Sequence, residues 1–400
     1  MVAVVVAIGC GLDLTVDNPD ASVSGLPDTS VPRDGEGRDV SPPPRDGAVD
    51  AEPDVDAAFS CDGGPPFGPW SAKDCTYTFD STIELVSPLA NGKIEIDTGR
   101  SGGPPSIRID AVAFPVDSRL FVADMSRGVM VLSVGKLRVE VGQTLTVKGD
   151  LPLVVVAGDT LVIDGAVLAN ASGALRGPGG VVAPGPGVGA AGPMVADKSG
   201  GGGGGNGTVG AAGGVNGATQ NDGGSMIPGL LLRGGGAGGS GGGFDAGGCG
   251  LGGGGGGGLE LFARDLQISG TVSASGGGGL RSCPGGGTKG AGGGGAGGML
   301  VVGARESFML TGQLTANGGC GGGNQGSGSG GSIDSGEPTL PGDAAVDHEP
   351  GIGAALNAPT PTTGVRTGGG GGAAGRIYVH VPGGALPLTT GLVSPVWEPK

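Results

Sequence analysis

Asp159, Arg264 and Glu306 each stand six residues before a glycine, Gly165, Gly270 and Gly312, in three segments that otherwise read alike. If those segments lie side by side, the three side chains form one column of two carboxylates astride an arginine. Such a set can grip a glycan, and paired carboxylates are also the machinery of glycoside cleavage. The blander reading of the same column, an exposed charge ladder contributing at most ~1 kcal/mol, is the preferred one. Other chemistry is thin. His348 in "VDHEP" and His380 in "IYVHV" are the two histidines of the chain, and neither has a GxSxG partner, so a nucleophilic triad is not in view. Lys198-Ser199 follow Asp197 where a phosphate-binding loop needs glycine. GxGxxG matches in poly-Gly are accidental, because that motif needs a strand and a helix around it. "SGGGFDAGG" around Asp245 approaches a calcium-binding nonapeptide, but Ser240 replaces its first glycine, Gly247 its aliphatic residue, and it does not recur. No CxxC spacing offers a zinc site. These absences point to a non-enzymatic chain with no cofactor.

The elements that must carry the column are three aligned segments, "LVIDGAVLAN" (161–170), "LQISGTVSAS" (266–275) and "FMLTGQLTAN" (308–317). Four residues before the central glycine come Leu161, Leu266 and Phe308, and two before it Ile163, Ile268 and Leu310. Two residues after it come Val167, Val272 and Leu314, and then Ala169, Ala274 and Ala316. Apolar residues at every second position are the pattern of a strand with one buried face. By parity the central glycine points inward, where a missing side chain permits a sharp bend or the close approach of a neighbouring rung. Asn170, Ser275 and Asn317 close the segments, and a stack of such turn residues forms a ladder at the corner of a coil. A degraded copy pivots on Gly391, with Val393 after it and Thr389 in place of the apolar residue before it. An earlier pair of alternating strands pivots on Gly149.

Composition sets the frame. The chain holds 99 Gly in 400 residues, with only 3% aromatic and 15% charged residues. That excludes a conventional aromatic core, and the lack of a strict every-third glycine excludes collagen. Strands that recur without hairpin signals, with the same positions inward, favour parallel stacking. The expected fold is therefore all-β, a parallel β-helix or solenoid. Between its rungs lie Gly-rich insertions at roughly 173–258, 276–298 and 318–375, either polyglycine II helices packed on one flank or disordered linkers.

The net charge is −15, and residues 11–60 carry much of it, with twelve Asp/Glu against three Arg. No basic stripe exists for phosphate neutralisation, so nucleic acid is not an expected partner. The Asp-, Pro- and Ser-rich 11–60 segment cannot bury enough apolar surface to order itself and reads as a disordered tether. Ahead of it, "MVAVVVAIGCGLD" resembles the end of a bacterial lipoprotein signal peptide, with Cys10 as the residue such a match lipidates. Ala7 stands where that family prefers Leu or Val, and no Lys or Arg precedes the apolar run. Gly11 follows the cysteine in place of the Asp that retains such proteins at the inner membrane, which points to the outer membrane. Cys61 and Cys75 bracket "CDGGPPFGPWSAKDC" and read as a disulfide of an oxidising compartment.

Together the lipobox-like start, the tether, rungs such as "LQISGTVSASGGGG" and the closing "GGGGGAAGRIYVHV" resemble glycine-rich surface lipoproteins of myxobacteria and related bacteria. More distantly the chain is similar to the glycine-rich repeat regions of mycobacterial PE-PGRS proteins. The resemblance implies an exported cell-surface location and no established chemistry. The expected organisation is a signal peptide at 1–9, a tether at 10–60, a β-rich segment at 61–135 and a Gly-rich β-solenoid at 136–400. Its expected role is structural or adhesive, with the membrane reached through the lipid and with extracellular polysaccharide or surface proteins as partners. The alternative is a glycan-binding or polysaccharide-cleaving β-helix that uses Asp159, Arg264 and Glu306.

Overall fold

The structure, a computed structural model, describes residues 84–99, 103–115, 120–124, 127–192, 199–214, 221–228, 231–242, 250–282, 290–323, 368–380, 388–395 and 398–399. Cys10, the tether and the Cys61/Cys75 pair lie outside these residues. Among them the protein is all-β. The strands are β1 (Glu84–Leu85), β2 (Lys93–Asp97), β3 (Ser106–Ile109), β4 (Val112–Phe114), β5 (Phe121–Asp124), β6 (Val129–Val134), β7 (Lys136–Val139), β8 (Thr144–Lys148) and β9 (Leu153–Ile163). There follow β10 (Ala166–Leu168), β11 (Gly258–Ile268), β12 (Thr271–Ser273), β13 (Met299–Leu310), β14 (Gln313–Thr315), β15 (Arg376–His380), β16 (Leu388–Thr389), β17 (Leu392–Ser394) and β18 (Glu398–Pro399).

Two sheets result. One is ordered β1-β7-β9-β11-β13-β15-β18, with β6 also on β9, β16 on β13, and β5 antiparallel to β6. The other runs β17-β14-β12-β10-β8-β2 in parallel and ends in antiparallel β3 and β4. Strands before residue 136 are thus built into the same sheets as those after it.

The repeat alignment is the register of the structure. Leu161 pairs with Leu266 and Leu266 with Phe308, while Ile163, Ile268 and Leu310 form the next column. Past the glycine, Val167, Val272, Leu314 and Val393 align on the other sheet. All but Phe308 and Val393 of these are at most 2% exposed, and they share one core with Ala169, Ala274 and Ala316. Each fully buried aliphatic side chain there contributes roughly 1.5–3 kcal/mol. The alternation therefore forms strands because one face has this core to enter.

Each central glycine is the corner where the chain passes from one sheet to the other. A Cβ on Gly270 would lie 1.9 Å from the Gly165 carbonyl oxygen, and one on Gly312 would lie 1.9 Å from that of Gly270. Close stacking of successive corners is thus what excludes a side chain. The same carbonyls accept from Thr271 and Gln313 at 2.9 and 2.8 Å. Gly149 is not a member of this series. The register of β8 on β10 sets Gln143 opposite Gly165, whose amide-proximal neighbour Ala166 donates to the Gln143 carbonyl at 3.0 Å. Gly149 instead sits past the far end of β8 with φ +120°, a turn that strand alternation cannot distinguish from a corner.

The closing residues stack as a polar ladder, half-buried at Asn170 and buried at Ser275 and Asn317. The Asn170 Oδ1 accepts from the Ser273 hydroxyl at 2.7 Å and from the Ser275 amide at 2.6 Å. One rung on, the Ser275 hydroxyl accepts from the Asn317 amide at 3.3 Å, and Asn317 Oδ1 accepts from Ser394 at 2.9 Å. Side chains here do for the corner what backbone bonds do for the strands.

Glycine tracts continue from the strands as a further layer, running directly into β11, β13 and β15. Around 199–206 the amide partners repeat every third residue. Gly200 and Gly203 donate to Gly214 and Ala211, Gly201 and Gly204 to Ala291 and Gly294, and Gly202 and Gly205 to Ala190 and Gly187. Its carbonyls accept from Gly236, Gly239 and Gly242, from Gly370 and Ala373, and from Gly224, every one of these bonds being 2.6–3.1 Å. A chain with three residues per turn and no internal hydrogen bond presents its polar groups in this way. Six neighbouring segments close on it, and a Cβ at any of 200–205 would lie 1.8–2.2 Å from a backbone oxygen. The described glycine tracts are therefore packed structure whose hydrogen bonds run between segments.

Candidate functional site

Asp159, Arg264 and Glu306 do come together, and a backbone irregularity makes the place. Between Ala263 and Asp265, β11 has the single residue Arg264, whereas β9 has Gly158 and Asp159 and β13 has Arg305 and Glu306. Bulges of this kind re-aim side chains. The Arg264 guanidinium reaches Asp159 as an ion pair without an aligned hydrogen bond, Asp265 at 3.0 Å and Glu306 at 3.9 Å. Lys136 extends the column, 3.5 Å from Asp159. The hydrogen bond to Asp265, ahead of the surrounding carboxylates, holds the Arg264 pKa above its usual value. The Ser307 hydroxyl, ahead of Arg264, draws the Asp265 carboxyl below its own.

Electrostatics then limits what the column can do. Side-chain exposures of 33% for Asp159, 44% for Arg264 and 61% for Glu306 leave the pairs in solvent. Each is worth ~1 kcal/mol or less in such surroundings. The one guanidinium is already shared among three carboxylates, so an incoming acidic sugar would meet net negative charge. The arrangement is an ion-pair clamp over a double bulge. Among the described residues no group of three or more His, Cys, Asp or Glu could hold a metal ion. His380 ends β15 half-buried, and His348 lies outside the described residues. Cys320 is buried and disulfide-bonded.

A second site, missed in the sequence, lies on the face of the larger sheet turned away from the main core. The register sets Val131, Val154, Glu260, Val301 and Tyr378 in one row across β6, β9, β11, β13 and β15. Four members of that row are apolar or aromatic and the central one is a carboxylic acid. In the next row Phe262 lies over Gly303, where an added Cβ would be 3.2 Å from its ring. Val129, Val131, Val156, Leu232, Phe262, Met299, Val301 and Tyr378 form a cluster separate from the main core. Glu260 is 8% exposed and its Oε2 has no hydrogen-bond partner. Burial pushes its pKa from 4.5 up to about 8, against the pull of the Arg127 charge. The signal available in the sequence was apolar residues on both parities of "LVVVAG", "LELFA" and "MLVVGA", the mark of strands covered on two faces.

No helix among the described residues is long and apolar enough to cross a membrane. Comparison with models of known families, with curated proteins and with solved structures finds no match.

Proposed function

We propose that the protein is a non-enzymatic cell-surface lipoprotein with a structural or adhesive role. In this reading a lipid on Cys10 anchors it in the outer membrane and the 10–60 segment spaces it from the surface. The two sheets are the faces of a parallel β-solenoid, and the glycine layer is a bundle of polyglycine II helices held on its flank. The observation that carries the reading is the hydrogen-bond period of three around 199–206, with six segments packed on one. The side chains inside such a lattice are few and small, alanines and the Asn206 and Asn221 amides, so its outer segments present backbone N–H and C=O groups as a broad uncharged surface. Hydrogen-bonding surfaces of that kind suit contact with extracellular polysaccharide or with surface proteins. The ion-paired, net-negative Asp159–Arg264–Glu306 column supports a scaffold more than a cleft for an acidic glycan.

Attachment tests it. Cells displaying the chain are expected to bind matrix polysaccharide or one another more than cells lacking it, with Asp159→Ala and Glu306→Ala displaying cells unchanged. Loss of attachment, or detectable polysaccharide cleavage, abolished by those substitutions would favour the glycan-active alternative. No gain in attachment on display would overturn the adhesive reading.

A further inference from the structure

A carboxylic acid in the middle of a five-strand apolar row calls for a reason. Glu260 is flanked on its own sheet face by Val154 and Val301, with Val131 and Tyr378 beyond them. Phe262 and Met299 belong to the same cluster, and Leu232, only 2% exposed, brings the glycine layer onto it. Next to Leu232 the amides of Gly234 and Gly235 donate to Gly179 and Gly256 at 3.1 and 2.8 Å, tying that segment into the layer. The face is therefore an interface between sheet and glycine layer, and Glu260 is the acid buried in it.

We infer that Glu260 is a proton-held latch: protonated, it lets the Leu232 segment lie on the sheet, and ionised, it forces that contact open.

The neighbours do not supply a counter-charge that would keep it closed. From the β5–β6 turn comes Arg127, which is committed to Asp124 at 3.0 Å. β9 and β13 present only Val154, Val156, Val301 and Gly303 in the flanking positions. β15 contributes Tyr378, with His380 in the next row and Arg376 in the one before, whose guanidinium donates to the Ile227 carbonyl at 3.0 Å. The Leu232 segment brings Arg233 beside it in sequence. An ionised Glu260 would have to draw in Arg127 or admit water, and either disrupts apolar packing.

The experiment compares the full-length protein with Glu260→Gln by hydrogen exchange at pH 6.5 and pH 9, with times scaled for base-catalysed exchange. Peptides covering 231–236 and 299–302 are the probes. The latch predicts at least a tenfold loss of protection at pH 9 in the unsubstituted protein and less than a twofold loss in Glu260→Gln. Equal losses in both, or none in either, overturn it. Should Glu260→Gln fail to fold, the carbon-13 titration of the Glu260 carboxyl in the unsubstituted protein decides. A midpoint above pH 7 supports the latch, and one between pH 4 and 5 overturns it.

Discussion

Gly203→Ala places a methyl group 1.9 Å from the Gly371 carbonyl oxygen and 2.5 Å from its carbon. An ordinary C···O contact is ~3.3 Å or more, so the 370–373 segment must retreat by about 1.4 Å. Two hydrogen bonds tie that segment to 199–206, from Gly370 to Gly201 and from Ala373 to Gly204, both 2.8 Å. The same retreat takes them to about 4.2 Å, outside hydrogen-bond range. Each pair lost in a buried setting costs about 1–3 kcal/mol, giving a destabilisation on the order of 2–6 kcal/mol. Urea unfolding with an unchanged slope measures it. Gly128→Ala is the control, because Gly128 has φ +65° but no atom within 4 Å of the added carbon, leaving only ~1–2 kcal/mol of backbone strain. A Gly203→Ala protein within 1 kcal/mol of the parent, or no worse than Gly128→Ala, would refute a close-packed glycine layer.

Three further outcomes follow from the same geometry. Ser275→Ala removes the acceptor of the Asn317 amide and a hydroxyl partner of Ser273, and should cost about 1–3 kcal/mol in denaturant unfolding, more than Ser269→Ala at the exposed edge. Arg264→Ala should change stability by ~1 kcal/mol or less at low salt and by nothing measurable at 1 M salt, because the pairs it breaks are solvent-exposed. Stability should fall as pH rises from 4.5 to about 8 and then level off, because the unfolded chain releases the Glu260 proton near 4.5 while the fold keeps it to about 8. At ~1.4 kcal/mol per pH unit the ceiling is on the order of 5 kcal/mol, and Glu260→Gln should flatten that slope in melts taken across the range.

The parts of this molecule legible from sequence are those in which a side chain recurs at a structural period. Leu161, Leu266 and Phe308 align in the sequence because they stack in space, and Asn170, Ser275 and Asn317 mark corners because their polar atoms bond from rung to rung. The double bulge that gathers Asp159, Arg264 and Glu306 preserves their spacing to the corner glycine, so that column was visible too. Gly149 misled because a glycine at a turn and a glycine at a stacked corner have the same neighbours in an alternating strand. The glycine layer was undecidable between linker and lattice, since its order resides mainly in backbone bonds among distant segments. Glu260 was hidden by the assumption that the second face of β11 meets solvent, whereas Phe262, Val301 and Tyr378 bury it.

In the proposed function a lipid on Cys10 holds this scaffold on the outside of a cell. The measurement is made in a related bacterium carrying the full chain with Cys10 intact or as Cys10→Ser, by membrane fractionation together with surface protease accessibility. The intact form is expected to be membrane-bound and accessible to protease, and the Cys10→Ser form to be released. A chain that is soluble in both forms, or membrane-bound but protected, would contradict it.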